Sequence, residues 1–243
     1  MRYLLAGAGA AALGAAGYQA MSPTGQLYGR TFIGLPRGSK QLALTFDDGP
    51  NDPHTQRLLE VLAKHNVLAT FFLIGRYARQ RPEVVRDIAR AGHAIGNHTF
   101  THPNLIFVSA LQTRVQLADC NETLCDILGQ RPTLFRPPFG GRLPQTLKVA
   151  LGLGLKPVMW NVAGYDWKTD SADYVEARVS RQIRGGDVIL LHDGSHLSFG
   201  FNRAHTVIAT DRLIASHKAK GYKFVTIPEM MESLPAGAGN FPY

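Results

Sequence analysis

The chain alternates short, almost wholly apolar runs with amphipathic stretches, and this alternation limits the folds available to it. The run Val188-Ile189-Leu190-Leu191 is the clearest case, because no polar residue interrupts it. A strand in a half-solvated antiparallel sheet alternates apolar and polar side chains, whereas a strand covered on both faces does not. Short buried strands separated by amphipathic helices therefore predict an α/β fold built on a parallel sheet.

The pattern predicts seven strands that alternate with six helices. The strands are expected at 41–46, 68–74, 93–96, 132–135, 155–160, 187–191 and 222–226. The helices are expected near 54–65, 82–91, 109–128, 143–151, 172–184 and 204–220. Seven parallel strands predict an irregular (β/α)7 barrel whose functional site lies at the carboxyl ends of the strands. An open doubly wound sheet is the alternative.

With 243 residues, the chain is expected to form one main domain over residues 39–235. Before it, Arg2 is followed by a short stretch rich in Gly and Ala, which is typical of a secretory signal. Residues 1–20 are therefore interpreted as a signal peptide, cleaved after Gly17 or Ala20, or as an uncleaved N-terminal membrane anchor. Residues 21–38 would be a connector and 236–243 a tail. The protein is accordingly expected to be exported to the cell envelope or beyond.

The formal charge of +8 does not by itself indicate nucleic-acid binding. Basic residues such as Arg76, Arg86 and Arg90 are spread singly over predicted helix faces, without the clusters that nucleic acid requires. A solvated surface explains them, and attraction to an anionic cell-wall polymer or membrane is the functional alternative. Cys120 and Cys125 lie five positions apart in one predicted helix and face different sides, so free thiols are expected.

Two adjacent carboxylates, Asp47 and Asp48, end the first apolar run, directly before Gly49. Downstream, His98 and His102 are separated by four positions. One carboxylate and two imidazoles are a common ligand set for a catalytic divalent metal, which leaves the second carboxylate free to act on water. Each motif also has a structural explanation: the acids can cap a turn and the histidines can be polar loop residues.

Further polar residues follow other predicted strands: Arg136, the pair Asp166-Trp167, and His192. In a parallel barrel, the loops after the strands share one face, so residues that are distant in sequence converge there. His192 alone is equally consistent with a hydrogen-bonded core histidine. Five such motifs in this order, each after a strand, favour a functional site over separate structural roles.

Together these motifs resemble the polysaccharide deacetylase family, the NodB-homology domain of carbohydrate esterase family 4, from about residue 40 to 230. Thr45-Phe46-Asp47-Asp48-Gly49 matches the first family motif, and His98-Thr99-Phe100-Thr101-His102 matches the second. Arg136-Pro137-Pro138-Phe139-Gly140 is similar to the third, Asp166-Trp167 to the end of the fourth, and Leu190-Leu191-His192 to the fifth. The fourth motif usually carries an acid where this chain has Ala163, which puts the bracing of Arg136 in question.

The resemblance implies a role for each residue. Asp48, His98 and His102 would bind a divalent metal, zinc being expected and cobalt the alternative. Asp47 would act as the general base, oriented by Arg136, and His192 as the general acid, oriented by Asp166. The backbone N–H at Phe139 would help to hold the oxyanion, and Trp167 and Leu190 would wall an acetyl-sized slot. His54 is interpreted as the start of a helix, with an approach to the mouth of the site as the alternative. His93, His196, His205 and His217 are interpreted as ordinary polar residues.

The implied reaction removes N-acetyl groups from N-acetylglucosamine units of a polysaccharide, either peptidoglycan or a chitin-like oligomer. No acid pair placed across a glycosidic bond is evident, so chain cleavage is not expected. Two alternatives remain at this point: a hydrolase of small cyclic amides from the same superfamily, and a glycan-binding protein without catalysis. The resemblance implies no protein partner.

Overall fold

The computed structural model describes residues 14–234, and within them the sheet is parallel throughout. Its strand order is β5-β4-β3-β2-β1-β7-β6, and β8 pairs with the start of β1. The strands are β1 (Gln41–Gly49), β2 (Thr70–Leu73), β3 (Ala94–Asn97), β4 (Leu134–Phe135), β5 (Lys156–Pro157), β6 (Val162–Ala163), β7 (Asp187–His192) and β8 (Lys223–Phe224). The predicted tail 236–243 and the first thirteen residues of the predicted leader lie outside the described residues.

The helices pack around this sheet. They are α1 (His54–Lys64), α2 (Gly75–Gln80), α3 (Pro82–Arg90), α4 (Ala110–Leu128), α5 (Pro144–Gly152), α6 (Ala172–Gln182), α7 (Ala204–Ala219) and α8 (Ile227–Glu232). Residues 14–21 are also helical. Among residues 14–234, no helix combines the length and the apolar composition needed to cross a bilayer.

Burial on both faces explains the uninterrupted apolar runs. From Leu42 to Gly49, every residue of β1 is buried. Leu44 and Phe46 pack into a core between the sheet and helices α1, α3, α4, α6 and α7. Ala43 faces the opposite side, in a second core with Val188 that α8 closes. Because helices or loops cover both faces, neither face of β1 needs polar side chains.

The predicted (β/α)7 barrel is confirmed as an irregular barrel with a curled, parallel sheet. The predicted strand 155–160 is shortened to β5, and β6 follows it beyond the predicted end. The two strands lie at opposite ends of the strand order and do not pair with each other. The segment before β1 lies at this seam, where Phe32 pairs with Val158 and Gly34 with Asp187. The short helices α2 and α8 were not predicted, since six residues are too few to show a helical hydrophobic period.

Cys120 is buried and Cys125 is half-buried, and both are free thiols, as predicted. The Cys120 side chain lies 3.6 Å from the carbonyl oxygen of Leu73, inside the core. Burial raises the pKa of the Cys120 thiol to about 12, so it stays protonated and unreactive. The fold therefore rests on its apolar core and does not depend on a disulfide.

Close packing inside the sheet predicts a cost for Gly96→Ala. An added Cβ would lie 2.5 Å from two ring atoms of Phe72 and 3.2 Å from Leu134 Cβ. Such overpacking should lower the free energy of unfolding by about 1–3 kcal/mol. Urea denaturation should show it as a lower midpoint, whereas Gly152→Ala at the end of α5, with no atom nearer than 4.0 Å, should be neutral or stabilising. Equal midpoints for the two variants would contradict this account of the packing.

Candidate metal centre and active site

Eight of the ten residues predicted for the site line one cavity of about 340 Å³ at the carboxyl edge of the sheet. They are Asp47, Asp48, His98, His102, Phe139, Trp167, Leu190 and His192. The other two, Arg136 and Asp166, are fully buried behind the cavity wall, and each contacts a residue that lines it. The structure therefore brings the whole predicted set together.

The parallel register produces this convergence. Asp47 on β1 lies opposite His192 on β7, so the predicted base and acid occupy neighbouring strands at the same height. His98 follows β3, and its N–H donates to the carbonyl of Leu73 at the end of β2 (3.0 Å). Arg136 follows β4, and its N–H donates to the carbonyl of Asn97 (3.0 Å). The predicted functional residues thus lie at, or just after, the carboxyl ends of their strands.

A β-bulge turns both adjacent acids toward the cavity. Successive side chains of a regular strand point to opposite faces. Here the β1–β2 register shifts between Asp47 and Gly49, and Asp48 adopts the left-handed conformation with φ of 73°. A bulge of this kind redirects one side chain, which lets Asp47 and Asp48 line the same cavity.

Asp48, His98 and His102 offer ligand atoms that all lie within 4.8 Å of one another. The Nε2 atoms of His102 and His98 are 3.1 Å and 3.5 Å from Asp48 Oδ1. All three side chains are buried. Their spacing suits a common cation, because each could contribute one donor atom without a large movement.

The donor set also fits a divalent cation chemically. Asp48 Oδ1 is buried and accepts no hydrogen bond within the described part of the chain, so an anionic oxygen lacks a partner. His98 Nδ1–H donates to the carbonyl of Arg136 (2.8 Å), which leaves the Nε2 lone pair free as a ligand. Burial lowers the pKa of His102 to about 4, so its imidazole is neutral near pH 7.

Strained backbone conformations surround this cluster. His102 has φ of 65° and Thr99 has φ of 66°, in the left-handed region that non-glycine residues rarely adopt. Asn97 stabilises this turn: its Oδ1 accepts from the Thr99 N–H (2.8 Å), and Thr99 Oγ1 accepts from the His102 N–H (3.0 Å). Asn97 carries no motif signal, so its role in holding the histidine loop could not be predicted.

The Arg136 guanidinium holds Asp47 in a fixed direction. Arg136 Nη1 donates to Asp47 Oδ1 (2.8 Å) and to Thr45 Oγ1 (2.7 Å). The guanidinium also lies 4.1 Å from the ring centroid of Phe72. Since Asp47 Oδ1 is occupied by Arg136, the other oxygen, Oδ2, is left on the side of His98, 3.7 Å from its Nε2.

The absence of an acid at position 163 does not leave Arg136 unbraced. Two backbone carbonyls at the β5–β6 seam accept from its guanidinium: Val158 O at 3.3 Å and Met159 O at 3.1 Å. Ala163 instead exchanges backbone hydrogen bonds with the side chain of Gln182 (3.3 and 2.9 Å). In this chain, main-chain carbonyls and Asp47 satisfy the guanidinium.

Asp166 orients His192 through two contacts. Asp166 Oδ1 lies 2.9 Å from His192 Nδ1, and Oδ2 accepts from the His192 backbone N–H (2.7 Å). Burial of His192 favours its neutral form, but the Asp166 charge and hydrogen bond outweigh this effect and raise the pKa of His192. Asp166 is itself anchored by Thr206 Oγ1 and by Arg203, which donates to its backbone carbonyl.

Apolar and aromatic side chains form the walls of the cavity. The Trp167 ring meets His192 edge-on at 5.0 Å, and Phe139 meets His102 edge-on at 4.7 Å. Leu190 is buried beneath the cavity, whereas Phe139 and Trp167 are each more than two-fifths exposed at its mouth. Trp160, which the sequence analysis did not single out, completes this wall.

The loop after β7 and the start of α7, onto which it leads, contribute residues that sequence reasoning missed. The His196 ring stacks on His102 at 4.5 Å, and the His196 backbone N–H donates to Asp48 Oδ2 (3.3 Å). His205, also interpreted as ordinary, has Nε2 2.9 Å from the carbonyl of Asp166. The motifs give no signal for either residue, because both contacts depend on how this loop folds back.

Asp193 is a further buried acid that was not predicted. Its Oδ2 accepts from Thr55 Oγ1 (2.6 Å), while Oδ1 has no hydrogen-bond partner in the described part of the chain. Burial raises the pKa of Asp193 to about 7. The Asp193 and Gly194 N–H groups both donate to the carbonyl of Asp47, so this turn supports the bulge from behind.

Known proteins share this arrangement of motifs and fold. A polysaccharide deacetylase family model matches residues 34–158, just over half of the chain. The chain belongs to the polysaccharide deacetylase family. A peptidoglycan-N-acetylglucosamine deacetylase of Bacillus cereus is 41% identical over 208 residues, covering 85% of this chain and 73% of that protein. A chitooligosaccharide deacetylase of Azorhizobium caulinodans is 34% identical, covering 80% of this chain and 96% of that protein.

A solved structure agrees with this assignment. It is a peptidoglycan N-acetylglucosamine deacetylase in complex with 4-naphthalen-1-yl-N-oxidanyl-benzamide, 41% identical, with a TM-score of 0.76. The alignment covers 82% of this chain and 91% of that one. The recognised family and the predicted enzyme class, a polysaccharide deacetylase, are thereby confirmed.

Metal binding by this polysaccharide deacetylase should distinguish its two adjacent acids. Asp48→Asn removes the anionic member of the predicted ligand set, so Zn²⁺ affinity should fall by more than the roughly 10–100-fold that loss of an outer-shell partner costs. Asp47→Asn should leave affinity close to that of the parent, because Arg136 and not the cation holds its Oδ1. Isothermal titration with Zn²⁺ measures both affinities. Equal losses of affinity in the two variants would contradict the predicted choice of Asp48 over Asp47 as the ligand.

The Asp166–His192 contact predicts a shift in a measurable titration. Asp166 raises the pKa of His192, so the imidazole stays protonated to a higher pH and deprotonates as pH rises through that pKa. Asp166→Asn should lower this pKa, whereas Asp170→Asn, an exposed acid of the same loop, should not. Histidine-labelled NMR over pH 4–9 follows the transition. An unchanged His192 titration in Asp166→Asn would show that Asp166 does not control it.

Proposed function

We propose that this chain is a zinc-dependent enzyme that removes N-acetyl groups from N-acetylglucosamine units of an envelope polysaccharide, releasing acetate. One observation carries the proposal. Two oriented pairs, Asp47–Arg136 and His192–Asp166, flank the Asp48–His98–His102 cluster in a single cavity. A fixed base and a fixed acid on either side of a cation site suit hydrolysis of an amide.

Asp47 is the general base of the proposed reaction. Arg136 holds its Oδ1, so Oδ2 is the oxygen free to take the proton of the attacking water. A divalent cation held by Asp48, His98 and His102 would supply Lewis-acid polarisation and would make water acidic near neutral pH. Because a carboxylate is a weak base, its contribution to catalysis depends on the orientation that Arg136 imposes.

The segment at Phe139 supports the oxyanion of the tetrahedral intermediate. Phe139 has φ of 58°, and within residues 14–234 no oxygen accepts its backbone N–H. An unpaired N–H beside the cavity is a ready donor for the developing negative charge. Removing one such donor typically costs about 10²–10³-fold in kcat.

His192 completes the reaction by protonating the departing sugar nitrogen. As the carbon–nitrogen bond breaks, the electron pair goes to nitrogen, which would be a poor leaving group without a proton. The His192 Nδ1 faces Asp166, so Nε2 is the atom free to donate. The products are acetate and a free amine, and the glycosidic bond is unchanged.

The cavity walls support an acetamido sugar as substrate. Leu190 and Trp167 offer an apolar surface for the acetyl methyl group, and the exposed rings of Phe139 and Trp167 can stack on a pyranose face. The names of the relatives favour peptidoglycan or chitooligosaccharide as the glycan. A net charge of +8 would draw the enzyme to an anionic wall polymer, which agrees with an exported protein.

A substrate panel scored by released acetate tests this function. The parent enzyme with Zn²⁺ should deacetylate chitooligosaccharides or peptidoglycan glycan, a chelator should abolish the reaction, and added Zn²⁺ should restore it. Asp47→Asn should lower kcat by at least about 10²-fold, because base catalysis contributes that much. Its Zn²⁺ affinity should remain close to the parent value, and the exposed Asp170→Asn should keep full activity.

Three other outcomes would contradict the proposed function or the proposed role of Asp47. Turnover of a small cyclic amide without acetate release would favour the amidohydrolase alternative. Glycan binding without any acetate release would favour a non-catalytic protein. Full activity in Asp47→Asn would show that this carboxylate is not the base.

A further inference from the structure

A second buried arginine, Arg142, lies directly after the motif that carries Phe139. Only 1% of its surface is exposed, and no acid in the described part of the chain forms a salt bridge with it. Its guanidinium donates to three backbone carbonyls instead: Gly140 O at 3.0 Å, Ser22 O at 2.9 Å, and Gly25 O. A buried cation is costly unless its donors are satisfied, so these carbonyls are needed to hold it there.

On one side, Arg142 fixes the loop that bears Phe139. Phe139 and Gly140 both have left-handed backbone conformations, with φ of 58° and 71°. The carbonyl of Gly140 accepts from Arg142, while the N–H groups of Gly140 and Gly141 donate to Pro137 and Pro138. A non-glycine residue in this region is strained and persists only where its surroundings enforce it. Arg142 is one of the groups that enforce it.

On the other side, Arg142 contacts the segment Ala20–Gly25. The backbone N–H of Arg142 donates to Ala20 O (3.0 Å), in addition to the side-chain bonds to Ser22 and Gly25. Ala20, Ser22 and Gly25 are buried. This segment precedes residues 34–158, which the family model matches, so the family resemblance does not account for it.

We propose that Arg142 and Ala20–Gly25, together termed the N-terminal clamp, position the Phe139 loop for catalysis. The inference rests on the proposed function, because that function assigns the Phe139 N–H to the oxyanion. Arg142 is a positioning residue, since it acts on the reaction through this loop.

Full-length Arg142→Gln, loaded with Zn²⁺, tests the clamp in two ways. Hydrogen exchange of a peptide covering 136–143 should become faster, because the Gly140 carbonyl loses its donor. Deacetylation should lose about 10–100-fold in kcat with little change in KM, as expected when a catalytic group is misplaced by about 1 Å. Zn²⁺ affinity should not change. Arg131→Gln, at an exposed arginine, is the matched control, and Arg142→Lys should recover part of the loss.

A comparison of two acyl groups separates positioning from a general folding defect. The oxyanion formed from an N-trifluoroacetyl sugar is less basic, so it depends less on a hydrogen-bond donor. The loss in Arg142→Gln should therefore be smaller for the trifluoroacetyl substrate than for the acetyl one. A smaller fraction of folded enzyme would lower both rates equally.

A variant on the other side of the clamp covers the case in which Arg142→Gln does not fold. In Gly25→Val, a Cβ would lie 2.5 Å from Gln19 Oε1 and 3.0 Å from its carbonyl oxygen, which displaces the segment while Arg142 is retained. The same kinetic and exchange pattern is expected.

If the variant that folds shows the same hydrogen-exchange rate in 136–143 and the same kcat as the parent enzyme, the clamp is overturned. Faster exchange with equal losses on both substrates would overturn its catalytic role. An enzyme that deacetylates no glycan, yet shows faster exchange in Arg142→Gln, would refute the proposed function and the catalytic role together while leaving the structural contact established.

Discussion

The Arg136 guanidinium is the interaction on which the site depends. It lies in the interior of the barrel, where it holds Asp47 Oδ1 and reaches carbonyls at the seam between β5 and β6. The backbone carbonyl of Arg136 accepts a hydrogen bond from His98 Nδ1–H, so the Nε2 atom of His98 is free to bind a metal. One residue thus joins the proposed base, a proposed metal ligand and the seam of the barrel. Removing one partner of such a buried pair typically costs about 3–5 kcal/mol, so site and fold are coupled there.

The rest of the molecule supplies the rigidity that this centre needs. Left-handed backbone at Asp48, His102 and Phe139 places three side chains or N–H groups where regular structure would not. Such strain is tolerated because packed surroundings determine each conformation. The bulge at Asp48 rests on the Asp193–Gly194 turn, and the Phe139 loop rests on Arg142. The apolar cores on the two faces of the sheet hold these supports in place.

Much of this could be predicted from local patterns. Uninterrupted runs such as 188–191 predicted doubly covered strands, and polar residues after five of the predicted strands predicted the shared edge. What escaped prediction has few local signals: helix α2 has only six residues, and β6 has only two. His196 and Arg142 act through a ring contact and through long-range hydrogen bonds, respectively. Their partners become neighbours only when the barrel forms.

The sequence by itself therefore determined the fold class, the family, and the residue types available for chemistry, because hydrophobic period and motif order are properties of neighbouring residues. Tertiary structure decided how those residues are used. The register of β1 against β7 sets Asp47 opposite His192, and a bulge turns Asp47 and Asp48 to one side. Contacts between Arg142 and the segment Ala20–Gly25 join residues more than a hundred positions apart. No local pattern encodes such a distance, since it follows from how the whole chain packs.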